Sequence, residues 1–484
     1  MSGRLRSFAA IMVALAVLTT GHAQAACTGG ELVYNDDYNV MQWCDGQDWI
    51  GAPKPTPPMM TAVAAGSAHS CAIDMAGAAW CWGQGTNGKL GNGGTVDSPV
   101  PVAVSGGHSF TRITTGGSQS CAIDTAGAAW CWGSGSTGLL GNGGTASSSV
   151  PVAVSGGYSF TAITAGDATT CGIDTAGAAW CWGLGTLSGL GNGGTANSNV
   201  PVAVSGGHSF TVITSWVYQS CAIDTAGAAW CWGSGSTGQL GNGGTSNSSV
   251  PVAVSGGHSF TAIAMGQSHS CGLDTTGAAW CWGSGYNGLL GNGSTANSLV
   301  PVAVSGGHRF TAIAAGSAAS CALDAAGAAW CWGYGGYGAL GNGGTTDSAV
   351  PVAVSGGHSF AGIVAGKAHA CGVDTAGGAW CWGEGANGKL GNGGTANSSV
   401  PVAVNAPGAA AAGGGCTAGQ VIYNGDHQVL QWCDGTQWIG LPKPSPSAGG
   451  GSSCAAGEIL YNVDYQIMQW CDGTQWIGFP KPGI

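Results

Sequence analysis

The chain has 484 residues, enough to bury a sizeable core. Its 94 glycines and 18 prolines approach a low-complexity composition, but 44% hydrophobic content and fixed glycine positions exclude a disordered chain. Only 6% of residues are charged and the formal charge is −11, so a nucleic acid, which demands a Lys and Arg footprint, is not expected as a partner.

Residues 1–25 read as a secretory signal. Arg4 and Arg6 precede the apolar run Phe8 to Leu18, and Ala23-Gln24-Ala25 offers a small-residue cleavage site. The run is too short to span a bilayer, and no other stretch could do so. A lipid anchor on Cys27 is the rival reading, but Gln24 stands where that signal wants a branched aliphatic residue. The expectation is a secreted or periplasmic protein.

A small module follows at 27–55, carrying Gln42-Trp43-Cys44-Asp45-Gly46 and Trp49-Ile50-Gly51. It returns at 416–444, with Cys416, Cys433 and Trp438, and at 454–482, with Cys454, Cys471 and Trp476. Each holds one cysteine pair, the staple that units below about 40 residues usually need. Asp-Gly between Trp-Cys and a further Trp is a hairpin signal, so two or three short strands are expected per module. Pro53 to Pro58 is a stiff connector, whereas 405–415 and 445–453 are flexible linkers of small residues.

Residues 59–404 hold seven units of 50 residues. Each offers four strand candidates, represented by Phe110-Thr111-Arg112-Ile113, Ser120 to Asp124, Ala128 to Trp132 and Val150 to Val154. The second and third form a hairpin across Asp124-Thr125-Ala126-Gly127, and Pro151 marks the fourth as having an unpaired edge. Four antiparallel strands repeated seven times, with no helical stretch, predict an all-β fold, a seven-bladed β-propeller.

If Asp124 opposes Ala128, then Cys121 falls opposite Cys131 on the same face, within disulfide reach. The same register pairs Cys71 with Cys81, Cys171 with Cys181, Cys221 with Cys231, Cys271 with Cys281, Cys321 with Cys331 and Cys371 with Cys381. Together with Cys27–Cys44, Cys416–Cys433 and Cys454–Cys471 this uses all 20 cysteines, as an exported chain would. Each ten-residue loop should contribute about 2.5–3 kcal/mol in the chain-entropy account. Zinc is the alternative, but a closed site wants four ligands and each unit offers two cysteines. A histidine stands near the first cysteine only at His69, His269 and His369.

The pattern Gly-x-x-x-Ser-Cys-Ala-Ile-Asp-x-x-Gly-x-x-Trp-Cys-Trp-Gly-x-Gly-x-x-Gly-x-Leu-Gly resembles the repeat of the regulator of chromosome condensation family. The resemblance implies a seven-bladed propeller. It also brings two precedents: guanine nucleotide exchange on a small GTPase, and exported bacterial propellers that bind other proteins, among them an inhibitor of β-lactamases. The export signal, the acidic charge and the equal length of the units, which leaves no inserted wedge, favour the second. The small modules are similar to a short Cys-Trp unit at the ends of other exported bacterial proteins.

Copies of one frame differ chiefly in the loop after Trp-Cys-Trp-Gly and in the segment before the first cysteine. The first includes Gln84, Leu184, Leu187, Tyr286, Tyr334, Tyr337 and Glu384; the second includes Asp167, Gln267 and Lys367. Such loops on a rigid ring can present binding groups, the alternative being surface drift. Ser215-Trp216-Val217-Tyr218 stands out, and Trp216 and Tyr218 are candidate anchors or a local repacking. Tyr286, Tyr334 and Tyr337 are further candidates. In the modules Trp49, Trp438 and Trp476 are candidate platforms for sugar rings. Paired tryptophans such as Trp130 and Trp132 should pack between blades. Asp124 should cap its turn, and His108 with its counterparts should be solvated turn residues. No catalytic constellation, metal site or cofactor motif is found.

The expectation is an exported, non-enzymatic binding protein whose variable propeller loops contact a protein or a surface ligand. A lectin-like protein binding surface polysaccharide or cell envelope through exposed aromatics is the alternative. Nucleotide exchange and hydrolysis rank below both.

Overall fold

In the computed structural model the described residues are 59–405, together with the backbone of nine short strands in the small modules. Those nine form three antiparallel sheets of three strands, such as Leu32–Asn35, Val40–Cys44 and Trp49–Gly51, in which Cys44 pairs with Trp49. The expected signal at 1–25, the expected linkers, the module cysteine pairs and the side chains of Trp49, Trp438 and Trp476 lie outside the described residues.

Residues 59–405 build seven four-stranded antiparallel sheets, each contiguous in sequence, which make a seven-bladed β-propeller. In the second blade the strands are Phe110–Thr115, Gln119–Asp124, Ala129–Gly133 and Ser148–Ala153. First strands of successive blades contact one another around the axis, and the Pro-bearing fourth strand is outermost. Alternation explains this order. Phe110 and Thr115 at the ends of the first strand are buried, the second strand is buried from Gln119 to Ile123, and Val150 on the fourth is exposed.

The hairpin register places Cys131 opposite Cys121, and all seven blades carry the disulfide, with Cα atoms 4.0–4.1 Å apart. Oδ1 of Asp124 accepts the N–H groups of Ala126 and Ala128 at 2.9 Å, and Oδ2 accepts the indole N–H of Trp130 at 2.9 Å. The carboxylate therefore caps the turn. Burial works against its ionisation, but the donors from Trp130, Ala128 and Ala126 outweigh it and hold the carboxyl below the usual range.

Blades are joined by the second tryptophan of each Trp-Cys-Trp. Trp132 is fully buried against Cys71, Cys81, Leu90 and Phe110, and its indole N–H donates to the Lys89 carbonyl at 3.0 Å. Each disulfide is thus the floor on which the next blade's indole rests. The ring closes the same way, for Trp82 donates to the Lys389 carbonyl at 3.0 Å and Met60 N–H to the Gly377 carbonyl at 2.8 Å. No strand is exchanged between the first and last blades.

Candidate functional site

The two ends of the ring differ in kind. One end carries the Asp-capped turns and the connections from fourth strands to the next first strands. It is nearly the same in every blade. There the structure corrects the expectation of solvated histidines: the His108 ring lies tilted against Trp130 with centroids 4.0 Å apart, and His208, His258, His308 and His358 do likewise at 3.9–4.2 Å. Tyr158 takes the same place on Trp180 at 4.2 Å. Each aromatic ring lids the half-buried tryptophan whose N–H the aspartate holds, so packing rather than hydration selects it.

The other end gathers both variable segments. Gln84 N–H donates to the Ala68 carbonyl at 3.0 Å and Ser134 N–H to the Ser118 carbonyl at 2.9 Å, binding the loop after Trp-Cys-Trp-Gly to the segment before the first cysteine. Sequence showed two variable places; folding makes them one face.

That face has a polar arc and an apolar arc. On the polar side Lys89 donates to Gln84 at 2.7 Å, and Lys389 pairs with Glu384. Oγ of Ser67 donates to Asp167 two blades away, at 2.9 Å to one oxygen. Burial pushes the Asp167 carboxyl up, opposed by that hydrogen bond and by the charges of Lys367 and Lys89. Lys89 is itself lowered by burial against the pull of Asp97 and Asp167. These groups brace the loops to one another.

On the apolar side, four consecutive blades expose large side chains: Leu187 at 44%, Tyr218 at 39%, Tyr286 at 70% and Tyr337 at 49%. Leu187 and Tyr337 stand at a loop position with φ of 55° and 60°, where Asn87, Asn287 and Asn387 serve in other blades. Asparagine tolerates that conformation; leucine and tyrosine pay strain in it.

Trp216 is not an exposed anchor. It is 7% exposed and packs with Ile263 and Met265 of the next blade. Its counterparts are glycines such as Gly166 and Gly266, because a Cβ there would meet the next blade's carbonyl, as at Gly166 with the Trp216 carbonyl 2.2 Å away. The indole fills the joint between fourth and fifth blades, and its N–H is buried without a partner. Only Tyr218 of that segment reaches the face.

Tyr286 and Tyr334 come together, with Lys367, around a groove of about 360 Å³ between the fifth, sixth and seventh blades. Tyr337 meets Tyr334 edge-on at 6.3 Å. Sequence reasoning named Tyr286 and Tyr334 as candidates on different blades and did not see that they share one groove.

It also missed an inner ring. His69, Gln119, Gln219, His269 and His369 are buried, and each reaches to the next blade: His69 Nε2 to Ser120 at 2.7 Å, Gln119 Nε2 to the Gly166 carbonyl at 2.7 Å. Burial lowers His269 to about 4 and His369 to about 3. Among the described residues no group of three His, Cys, Asp or Glu could hold a metal ion.

The sequence matches the family described as the regulator of chromosome condensation repeat over 76–123, 126–173, 226–273, 276–323, 326–373 and 376–419. A second description of that repeat matches 60–89, 260–289 and 310–339. No curated protein matches the chain. Among solved structures, human WBSCR16 is 19% identical, with 67% of this chain and 90% of that one aligned, at a TM-score of 0.61. Prp20p from Saccharomyces cerevisiae, described with its binding to Gsp1p and histones, is 18% identical over 77% of this chain and 90% of its own, at 0.61. Yeast Prp20 bound to Kap60 is 17% identical over 88% and 96%, also at 0.61. At such identities the likeness is one of fold.

Proposed function

We propose, on the premise that the chain belongs to the regulator of chromosome condensation repeat family, that it is an exported, non-enzymatic binding protein that grips a partner protein through its variable-loop face. The observation that carries this reading is the apolar arc. Leu187, Tyr218, Tyr286 and Tyr337 are exposed on four successive blades of that one face, two of them at backbone positions that favour asparagine. Exposed aromatics on a rigid rim are the residues that anchor protein interfaces.

Precedent supports a protein partner, since the yeast propeller of the same fold is described with Gsp1p, histones and Kap60. Nucleotide exchange is not favoured here, because the seven units keep one length. Seven disulfides fit an oxidising compartment, in agreement with the apolar leader.

A photo-crosslinking amino acid placed at 187, 218 or 337 should capture a partner protein from the native extracellular milieu. The same group at 150 or 250, exposed on fourth strands, should capture none. Equal capture at all five positions, or none anywhere, would remove the reading.

A further inference from the structure

We infer that the groove between the fifth, sixth and seventh blades receives a peptide segment presenting a bulky apolar side chain beside a carboxylate. The inference rests on the protein-binding reading of the loop face and names what one part of that face takes. The groove, of about 360 Å³, is walled mainly by Tyr286, Leu289, Ala318, Tyr334 and Ala368, with Asn287, Ser317 and Lys367 as its polar lining. That volume is near the lower end for ligand pockets and suits one or two side chains.

Three features argue that this sector is built rather than drifted. Tyr334 stands where the other blades carry Gln84, Ser134, Leu184, Ser234, Ser284 and Glu384. Two residues on, its blade alone has glycine, Gly336, where the others have a side chain. A Cβ at Gly336 would lie 2.1 Å from the Tyr334 hydroxyl. The tyrosine can lie over its own loop only because the glycine is there, so the two substitutions form a matched pair. Finally, Lys367 is the cation among the seven residues at its position, the rest being Ser, Gly, Asp, Val and Gln.

Charge and polarity select the occupant. Lys89 and Lys389 are buried and engaged with Gln84 and Glu384, whereas Lys367 is exposed and lines the groove, its charge also felt by Asp167. A partner carboxylate fits it, and apolar walls with two phenol rings fit the neighbouring side chain. A sugar would need several directional hydrogen-bonding partners, and these walls are mostly carbon. Peptide is therefore favoured over polysaccharide.

The test is selection of a random phage-displayed peptide library on the intact protein, followed by fluorescence anisotropy of the enriched peptides. Enriched sequences should place Asp or Glu next to Leu, Ile, Phe or Trp. Tyr334→Ala should weaken them about tenfold or more, as loss of an interface anchor does. Gly336→Ala should weaken them too, although it removes no contact, and Lys367→Glu should abolish the preference for acidic peptides. Val250→Thr, exposed on a fourth strand outside the face, should leave these peptides unaffected. Peptides indifferent to the Tyr334 and Lys367 variants, or no enrichment at all, would overturn the inference. So would binding of polygalacturonate, sensitive to Tyr334→Ala, without peptide enrichment. Partner capture at 187 and 218 would survive any of these results, so the two readings fail separately.

Discussion

Nε2 of His369 lies 2.9 Å from Oγ of Ser70, a residue 299 positions earlier. The same contact joins His69 to Ser120 and His269 to Ser320, both at 2.7 Å. Gln119 Nε2 reaches Thr170 Oγ1 at 3.3 Å from the equivalent place. Where the first member is Ala319, the second is Ala370, and both lie in one apolar cluster. Polar faces polar and apolar faces apolar, so the pairing, one repeat plus one residue apart, is a property of the joint between blades.

Ser70→Ala should therefore destabilise the ring by about 1–3 kcal/mol, because the His369 imidazole is left buried with neither nitrogen bonded. Ala319→Ser, which adds a lone hydroxyl to an apolar joint, should also destabilise. In a double-mutant cycle of Ser70→Ala with His369→Gln, the coupling should exceed about 0.5 kcal/mol. Additive midpoints in chemical unfolding would show that the pair does not act as a unit.

Acid should weaken the ring through the same histidines. Burial holds His269 at about 4 and His369 at about 3, and lowers His69 well below its ordinary value, aided by the charges of Lys89 and His369. Between about pH 6.5 and these values the unfolded chain binds protons that the folded ring refuses. Stability is thus complete above about pH 6.5 and falls as pH drops toward 4 and then 3, by up to about 1.4 kcal/mol per pH unit for each histidine. His269→Gln, which borrows the Gln219 side chain that donates to the Gly266 carbonyl at 3.0 Å, should fold and flatten that slope. Thermal midpoints measured from pH 7 to pH 4 would decide it.

Trp216 divides stability from binding. Trp216→Gly restores the residue of the other blades but empties the joint against Met265 and Ile263, at a cost of about 3–5 kcal/mol. Trp216→Phe should cost far less, since it also discards an indole N–H that has no partner. Tyr218→Ser should barely move the melting temperature and should weaken partner capture. The opposite pattern, binding lost with Trp216→Phe and kept with Tyr218→Ser, would put the anchor back at the indole.

Tyr337→Asn should raise stability by about 0.5–1 kcal/mol, because asparagine accepts the φ of 60° that tyrosine holds under strain. It should weaken partner binding at the same time. A variant that is more stable and binds as well as before would show Tyr337 to be unrelated to function.

Much of this was legible from one repeat. Cys121 opposite Cys131, Asp124 capping its turn and Trp132 buried between blades all follow from strand alternation and turn chemistry within 50 residues. What escaped reading lies between units. His69 and Ser120 are each unremarkable in their own copy, and only the stagger of neighbouring blades brings them together. Trp216 read equally as an anchor or a local repacking, because its sequence neighbours say nothing of its packing with Met265 in the next blade. His108 read as solvated because a turn after Gly-Gly gives no hint of the indole beneath it.

The closing joint has the same fastenings as the other six: Met60 bonds to Gly377 as Phe110 does to Gly77. With every sheet unbroken in sequence and none shared between the ends, the circle has no privileged origin. Moving the chain's start to any other gap between blades should yield a permuted protein of nearly equal stability. Tension applied at the two natural ends should first part this joint and then peel the sectors off singly, like segments from an orange.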